Sequence, residues 1–506
     1  MRLHPFSLSS RMSSITLHSL MQNIPVQGRS GDWQVRITGL VTDSRRILPG
    51  SLFFALPGLR TDGHAFINDV IARGAAAIIS GQPVSGLPAV AAAQVQEPRK
   101  VLAEVARRFY GHPESSLKLV GVTGTNGKTT VSTLLRHLLQ ADGGQWGLIG
   151  TVRYQLGRRS IPSYKTTPES ADLAGFFQQM VEAGCEGACL EVSSHALHQD
   201  RVHGFHFQAA AFTNLTRDHI DYHGNFENYF QAKQALFDGR NGTIPEVSVI
   251  NRDDPSGCVL AEACQRRGKV ITFGLAPEAD LRASNVVFNQ RGASFVVHWE
   301  GQSVHFVSPL PGDYNVSNVL CALALAAALG RDPLSLTEAL ASFGGVPGRM
   351  ERVEAGQVFP VYVDYAHTDD ALRNVLRMLR SITPGRVFCV FGCGGNRDRG
   401  KRPAMTKVVT ELADQAWATA DNPRKESIES IFADMREGLG SLPNLEFIPD
   451  RREAIGRALT AAKAQDCVLI AGKGHETTQE FFDTVVPFDD RLVVRQLLEL
   501  RKGAAS

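Results

Sequence analysis

Residues 117–130 read LKLVGVTGTNGKTT. An apolar run leads into a glycine-rich turn, then Lys128 and two threonines. Val131, Leu134, Leu135, Leu138 and Leu139 follow on one face of a helical pattern. Strand, glycine loop, Lys-Thr and helix in that order is the context of a phosphate-binding loop. N–H groups of the loop and helix start converge on an anion, and the helix dipole adds positive potential there. Lys128 supplies a point charge for terminal phosphates, and the Thr129 hydroxyl an oxygen for Mg²⁺. The usual G-x-x-x-x-G-K-[ST] spacing would place a glycine at 122, where this chain has Val122. A tight turn before a core helix accounts for the glycines, but not for a lysine and two hydroxyls at the helix start.

A chain of 506 residues is too long for one hydrophobic core, and several domains are expected. The 53 basic and 51 acidic residues leave a net charge of +2. That gives no electrostatic case for nucleic acid or an anionic membrane as partner. Eight scattered cysteines with no C-x-x-C pair read as reduced, mostly buried thiols of a cytoplasmic protein. No stretch approaches the length of a membrane span. The first segment, MRLHPFSLSSRMSSITLHSL, is Ser-rich and basic, and the first acidic residue is Asp32. A transit peptide has that composition; so does a disordered extension, which is the expectation taken for 1–22.

Residues 23–112 read as a small α/β module, with strand character from Ser51 to Leu56, a helix over 65–74 and a strand over 75–79. Its Asp43-Ser44-Arg45 and Asp62-Gly63-His64 clusters are weak signals, because such residues commonly cap or turn. His112-Pro113 opens a linker into a central domain, 113–345. There, GACLEVSSH at 187–195 is a strand ending on Glu191, where a nucleotide's Mg²⁺ needs an oxygen ligand. The strand over 209–213 runs into Asn214, Asp218 and His219. Ligands of open α/β sheets sit beyond the carboxyl ends of strands, so these motifs are expected to converge.

Asn225 is expected to cap a helix whose apolar face carries Phe226, Tyr229, Phe230, Leu236 and Phe237. Lys233 falls on that face. Either it snorkels out past its stem, or it is desolvated, loses its proton more easily and is open to modification or to work on substrate. Asn315 and Asn318 open a very apolar helix, as caps or as readers of a base edge. FGGVPGRMER at 343–352 marks the second domain boundary and sets Arg349 to reach back to a phosphate. In 346–506, four apolar strands each end in a polar motif: DYAH at 364–367, GCGGNR at 392–397, DNPR at 421–424 and GKGHE at 472–476. This is the pattern of a doubly wound parallel sheet with its site on one edge.

The segments GVTGTNGKTT, EVSSHAL, NLTRDHIDYHG, YFQAKQALF, GDYNVSN, PGRMERV, DYAHT, GCGGNRDRGKR and DNPR together resemble the motifs of the Mur ligases. These are ATP-dependent, ADP-forming amide-bond ligases of peptidoglycan precursor synthesis. The resemblance implies an α/β protein of three domains: a small UDP-binding module, a central P-loop parallel-sheet ATPase domain and a C-terminal Rossmann-like domain. It implies ATP held by Gly124, Thr125, Asn126, Gly127, Lys128, Thr129 and Thr130, with Asn315, Arg349 and Asp364. One Mg²⁺ would be held by Thr129 and Glu191 and a second supported by His219 and Lys233, the lysine being carbamylated (N6-carboxylysine) so that an unsuitable cation becomes an oxygen ligand. Lys128, Glu191, His219 and Lys233 would be catalytic.

By the same resemblance, a UDP-N-acetylmuramoyl dipeptide would contact Thr42, Ser44, Thr166, Thr167, Ser193, Gln199 and Arg201. Pro168-Glu169 departs from other members, which leaves the details of that loop open. Meso-diaminopimelate would meet Arg397, Asp421, Asn422, Pro423, Arg424, Gly472 and Glu476. A guanidinium at 424 can take the distal carboxylate of diaminopimelate bidentately, and lysine, lacking that group, would leave it unpaired. The other reading of Arg424 is a salt bridge capping the next helix. A monomer without nucleic-acid or membrane partners is expected. A folate-type ligase would not need the N-terminal module, and a non-enzymatic scaffold would have lost Lys128, Glu191, His219 or Lys233.

Overall fold

A computed structural model describes residues 15–58, 61–83, 90–141 and 143–505. The chain divides into two compact units. One comprises Met1–Gly121, Gly144–Gln208 and Ala232–Glu246; the other comprises Val122–Gly143, Ala209–Gln231 and Val247–Ser506.

The first unit begins with a five-stranded sheet in the order Gly28–Ser30, Ala91–Gln94, Ala77–Ser80, Ser51–Ala55, Gly39–Val41. All its pairings are parallel except the first. Ser51–Ala55 is buried at every position, as a parallel strand covered on both faces must be. The helix Pro98–Phe109 starts on a proline, whose missing N–H costs nothing in a first turn.

The expected disorder of 1–22 is corrected for 15–22, while 1–14 lie outside the described residues. Leu17–Leu20 is a short helix. Thr16 and Ser19 form a capping box at its start. Leu17, Leu20 and Met21 are buried, and the Leu17 N–H donates to the Val35 carbonyl. The Ser-rich composition concealed three large apolar side chains spaced to face one way. Later in this unit Gly187–Glu191 pairs in parallel with Trp146–Ile149, and Arg153–Leu156 and Arg159–Pro162 extend the edge antiparallel.

In the second unit Ala209–Phe212, Val247–Asn251 and Lys269–Gly274 run parallel. An antiparallel meander follows, Leu281–Asn289, Gly292–Trp299 and Gln302–Ser308, which the sequence reading did not anticipate. The helix Asp313–Ala328 is buried along most of its length. A six-stranded sheet has the order Glu351–Arg352, Val361–Asp364, Cys467–Ala471, Val387–Cys393, Gln415–Ala420, Leu445–Phe447, parallel except for the first pair. It contains all four strands expected in this region, and apolar clusters cover both faces. Among the described residues no helix is long and apolar enough to cross a membrane, and the eight cysteines are free thiols, seven of them buried.

The helix Asp490–Ala505 is pinned to this sheet by a fully buried ion pair. Arg451 Nε and Nη2 donate to Asp490 at 2.7 and 2.8 Å, and Nη2 also donates to the Ala471 carbonyl at 2.9 Å. Removing one partner strands a buried charge. Asp490→Ala is therefore expected to lower stability by about 3–5 kcal/mol, and Arg451→Met with Asp490→Leu to recover most of it. Urea midpoints read this directly; an unchanged midpoint for the single variant would refute it.

Candidate active site

The phosphate-loop reading has a physical counterpart. Lys118–Thr123 is a strand, Lys128–Leu139 a helix, and Val122 is fully buried in the strand. Gly124 and Gly127 have φ of 148° and 88°. A Cβ on Gly127 would stand 2.3 Å from Asn318 Oδ1, and one on Gly124 would stand 1.9 Å from Thr213 Oγ1. Only glycine fits either position. The segment after Ala209–Phe212 props the loop: Asn126 N–H donates to Asn214 Oδ1 at 2.9 Å, and Thr213 Oγ1 to the Asn126 carbonyl at 2.6 Å. Lys128 Nζ donates to the Gly124 and Thr125 carbonyls at 2.9 and 2.8 Å. Thr129 and Thr130 are buried in the first helical turn.

Arg349 comes to this loop from far along the chain. Its Nη2 donates to Thr129 Oγ1 at 3.3 Å, and its guanidinium lies 4.5 Å from the centre of the Tyr365 ring. Asn126 Nδ2 donates to Asp370 at 3.2 Å. Partial burial raises the Asp218 pKa, but His219, His367 and Lys401 outweigh that and hold it below the ordinary value. Burial, reinforced by Lys401, lowers His367 to about 4. Asn315 and Asp364 are used structurally. Asn315 Nδ2 donates to the Pro311 carbonyl at 2.8 Å and its Oδ1 accepts from Asn318 Nδ2 at 3.0 Å; Asp364 accepts from the Met350 and Ala366 N–H groups, each at 2.7 Å.

In the first unit, Glu191 ends its strand almost fully buried. Its oxygens accept from the Thr151 N–H at 2.7 Å and the Thr151 hydroxyl at 2.9 Å. Thr166 meets the same hydroxyl at 3.1 Å, and Thr167 Oγ1 donates to the Glu191 carbonyl at 2.7 Å and lies 3.3 Å from Ser193 Oγ. Arg201 donates to the Thr167 carbonyl at 2.9 Å and to Gln199 Oε1 at 2.8 Å. Glu169 gathers Arg201, Lys165 and Arg99, and although burial pushes its pKa up, these cations hold it below the usual range. Thr166, Thr167, Ser193, Gln199 and Arg201 are thus brought together. Thr42 and Ser44 flank a turn capped by Asp43, and Arg46 of that turn reaches Asp172 at 3.5 Å.

Lys233 lies on the helix Phe226–Gln234 and is 1% exposed. The snorkelling alternative is overturned; Lys233 is buried like Tyr229, Leu236 and Phe237 of the expected face, from which Phe226, 46% exposed, is excluded. The buried positions of this helix are Tyr229, Ala232 and Lys233, with Tyr229 and Lys233 one turn apart. Asn225 does cap this helix, accepting from the Asn228 N–H at 2.8 Å.

The remaining cluster follows the strands of the six-stranded sheet. Asn422 Nδ2 donates to Glu476 Oε2 at 2.8 Å. Arg424, at φ 54°, donates through Nε to Glu480 Oε2 at 2.8 Å and through Nη1 to the Gly395 carbonyl at 3.0 Å. Its ion pair is with the hairpin strand Thr478–Phe481, so the helix-capping alternative does not hold. A Cβ on Gly472 would stand 2.7 Å from Asp421 Oδ2. Arg397 Nη1 turns back to the Asn396 carbonyl at 3.4 Å. Gly348 lies directly against the following loop, where an added Cβ would be 2.0 Å from the His475 nitrogen. The His475 ring lies tilted at 45° against Tyr365 with centroids 5.1 Å apart, and burial with nearby Arg349 lowers its pKa to about 3. Sequence reasoning missed Thr151, Tyr365 and Glu480. Tyr365 sat inside a motif already singled out, whereas nothing local marked Thr151 or Glu480.

Three family profiles match the chain: "Mur ligase family, catalytic domain" over 36–110, "Mur ligase middle domain" over 122–326 and "Mur ligase, glutamate ligase domain" over 348–474. Among similar proteins is a UDP-N-acetylmuramoyl-L-alanyl-D-glutamate–2,6-diaminopimelate ligase of Solibacter usitatus, 46% identical over 92% of this chain and 94% of its own. One of the same name from Gloeobacter violaceus is 44% identical over 97% of this chain and all of its own. A solved structure of a ligase of that name superposes with a TM-score of 0.68 at 33% identity, covering 97% of this chain and 99% of its own. A Thermotoga maritima MurF ligase solved with ADP shares the fold, with a TM-score of 0.62 at 19% identity over 94% of this chain and all of its own. With a phosphate loop, strand-end carboxylate and C-terminal parallel sheet in place and all three profiles matched in order, the chain belongs to the Mur ligase family.

Proposed function

We propose that the chain joins meso-diaminopimelate to the D-glutamyl γ-carboxylate of UDP-N-acetylmuramoyl-L-alanyl-D-glutamate, using ATP and releasing ADP and phosphate, in cytoplasmic peptidoglycan precursor synthesis. The observation that carries the amino-acid assignment is Arg424, held between Glu480 and the Gly395 carbonyl beside the Asn422–Glu476 pair. A fixed guanidinium next to a carboxylate and an amide suits the ammonium and carboxylate at the far end of diaminopimelate.

The reaction runs in two steps. The substrate carboxylate takes the γ-phosphoryl group of ATP, forming an acyl phosphate and ADP. The amine then attacks the acyl carbon, the C–O bond to phosphate breaks, and an amide, phosphate and a proton result. The loop N–H groups, Lys128 and Arg349 neutralise charge that spreads over the transferring phosphoryl oxygens. Thr166, Thr167, Ser193, Gln199 and Arg201, with Thr42 and Ser44, hold the UDP substrate.

The donor set fits Mg²⁺. Among the described residues no three His, Cys, Asp or Glu side chains form a metal cage, and Mg²⁺ bound through nucleotide phosphates needs only one or two protein oxygens. Thr129 and Glu191 would hold one ion and His219 and carbamylated Lys233 a second, and when bound they would offset the negative charge of the phosphates.

Phosphate release with the UDP-dipeptide tests the assignment. Meso-diaminopimelate is expected to support turnover at least about a hundredfold better than L-lysine, and Arg424→Ala to remove most of that preference. A wild-type preference for lysine would overturn it.

A further inference from the structure

The GKGHE segment contains a residue that the proposed function does not use. Lys473 is 0% exposed. It lies between two glycines of positive φ, Gly472 at 111° and Gly474 at 51°. Both are closely backed: a Cβ on Gly474 would meet the Gly348 carbonyl oxygen at 2.6 Å, and one on Gly472 would meet Asp421 Oδ2 at 2.7 Å. The backbone can wrap this tightly around an inward lysine only because its neighbours lack side chains.

Lys473 Nζ donates to Asn422 Oδ1 at 3.2 Å and to Glu476 Oε2 at 2.8 Å. The Glu480 N–H also donates to Asn422 Oδ1, at 3.1 Å. An ammonium has only donors, so the amide oxygen of Asn422 must face it. The amide nitrogen is thereby turned to Glu476 Oε2, where it donates at 2.8 Å. Both donors land on the same carboxylate oxygen. Oε1 of Glu476 carries neither bond, and the side chain keeps 29% of its surface exposed.

We propose that Lys473 is a positioning residue for the amino-acid substrate: it fixes the orientation of the Asn422 amide and the Glu476 carboxylate, so that Glu476 Oε1 is presented to the distal ammonium of a diamino dicarboxylic acid while Arg424 takes the adjacent carboxylate. This rests on the proposed function. Without the buried cation, Asn422 keeps only the Glu480 N–H on its Oδ1, Glu476 loses its charged partner and can swing, and the two recognition groups lose their register.

The test is steady-state kinetics of the full-length enzyme with all three substrates. Lys473→Met is expected to raise KM for meso-diaminopimelate roughly ten- to hundredfold. The turnover number and the KM values for ATP and the UDP-dipeptide should change by less than about threefold. In a Glu476→Gln background the same substitution should raise KM for the amino acid by less than about threefold, because its target is already altered. If Lys473→Met does not fold, Lys473→Gln makes the same comparison, keeping a donor for Asn422 and losing the charge. An unchanged KM for the amino acid, a parallel rise in all three KM values, or full additivity with Glu476→Gln would overturn the assignment alone. No turnover of diaminopimelate by the wild type would overturn the proposed function, and Lys473's role with it.

Discussion

Lys128→Met is expected to lower phosphate release about a thousandfold, with the fold intact by circular dichroism. Two effects add. The variant loses the point charge beside the transferring phosphoryl group. It also loses the internal brace formed where Nζ meets the Gly124 and Thr125 carbonyls at 2.9 and 2.8 Å. Lys128→Arg should restore little, because a planar fork cannot take the place of a compact ammonium between two carbonyls of a tight loop. The residual rate is the measurement; a variant keeping a tenth of wild-type activity would remove Lys128 from the catalytic set.

Lys233→Ala is expected to lose ligation by roughly a hundred- to thousandfold. A lysine 1% exposed has its head group taken out of water, which is costly for an ordinary ammonium. Addition of CO₂ to the neutral amine would replace the cation by an anionic carbamate, with oxygens suited to Mg²⁺. Two measurements separate this from a packing role. The wild type should slow in bicarbonate-depleted buffer and recover on adding bicarbonate, and the variant should respond to neither. A wild-type rate indifferent to bicarbonate would sink the carbamate.

How much was legible in advance depended on how local each cause was. The phosphate loop was readable because its glycines, lysine and threonines lie within a few residues, and the close approaches at Gly124 and Gly127 explain why no other residue would serve. The four strands of the C-terminal sheet were readable because each is an apolar run buried on both faces. The meander over 281–308 was not. Its strands alternate between buried and half-exposed positions and include polar residues on the open side, so no run stood out. Lys233 was singled out for a sound reason, burial on a helix face, but counted from Phe226, which faces solvent. The partners that hold Glu191 and Arg424 in place, Thr151 and Glu480, lie 40 and 56 residues away in the chain. Such pairings come from tertiary packing and leave no trace in spacing.

The backbone contact between Gly348 and Gly474-His475 has a kinetic consequence. At 2.0 Å from an added Cβ, the two segments leave no room for independent sliding. Arg349, proposed to serve the nucleotide, and the segment carrying Glu476, proposed to serve the amino acid, therefore travel as one piece. Upstream of both, Gly344 and Gly345 have no heavy atom within 4 Å of an added Cβ, which leaves room for a pivot there. On the proposed function, arrival of the arginine at the phosphates and arrival of the nucleophile at the activated carboxylate would be a single synchronised event. The short-lived acyl phosphate then forms with its amine acceptor already at hand, which leaves water little time to compete.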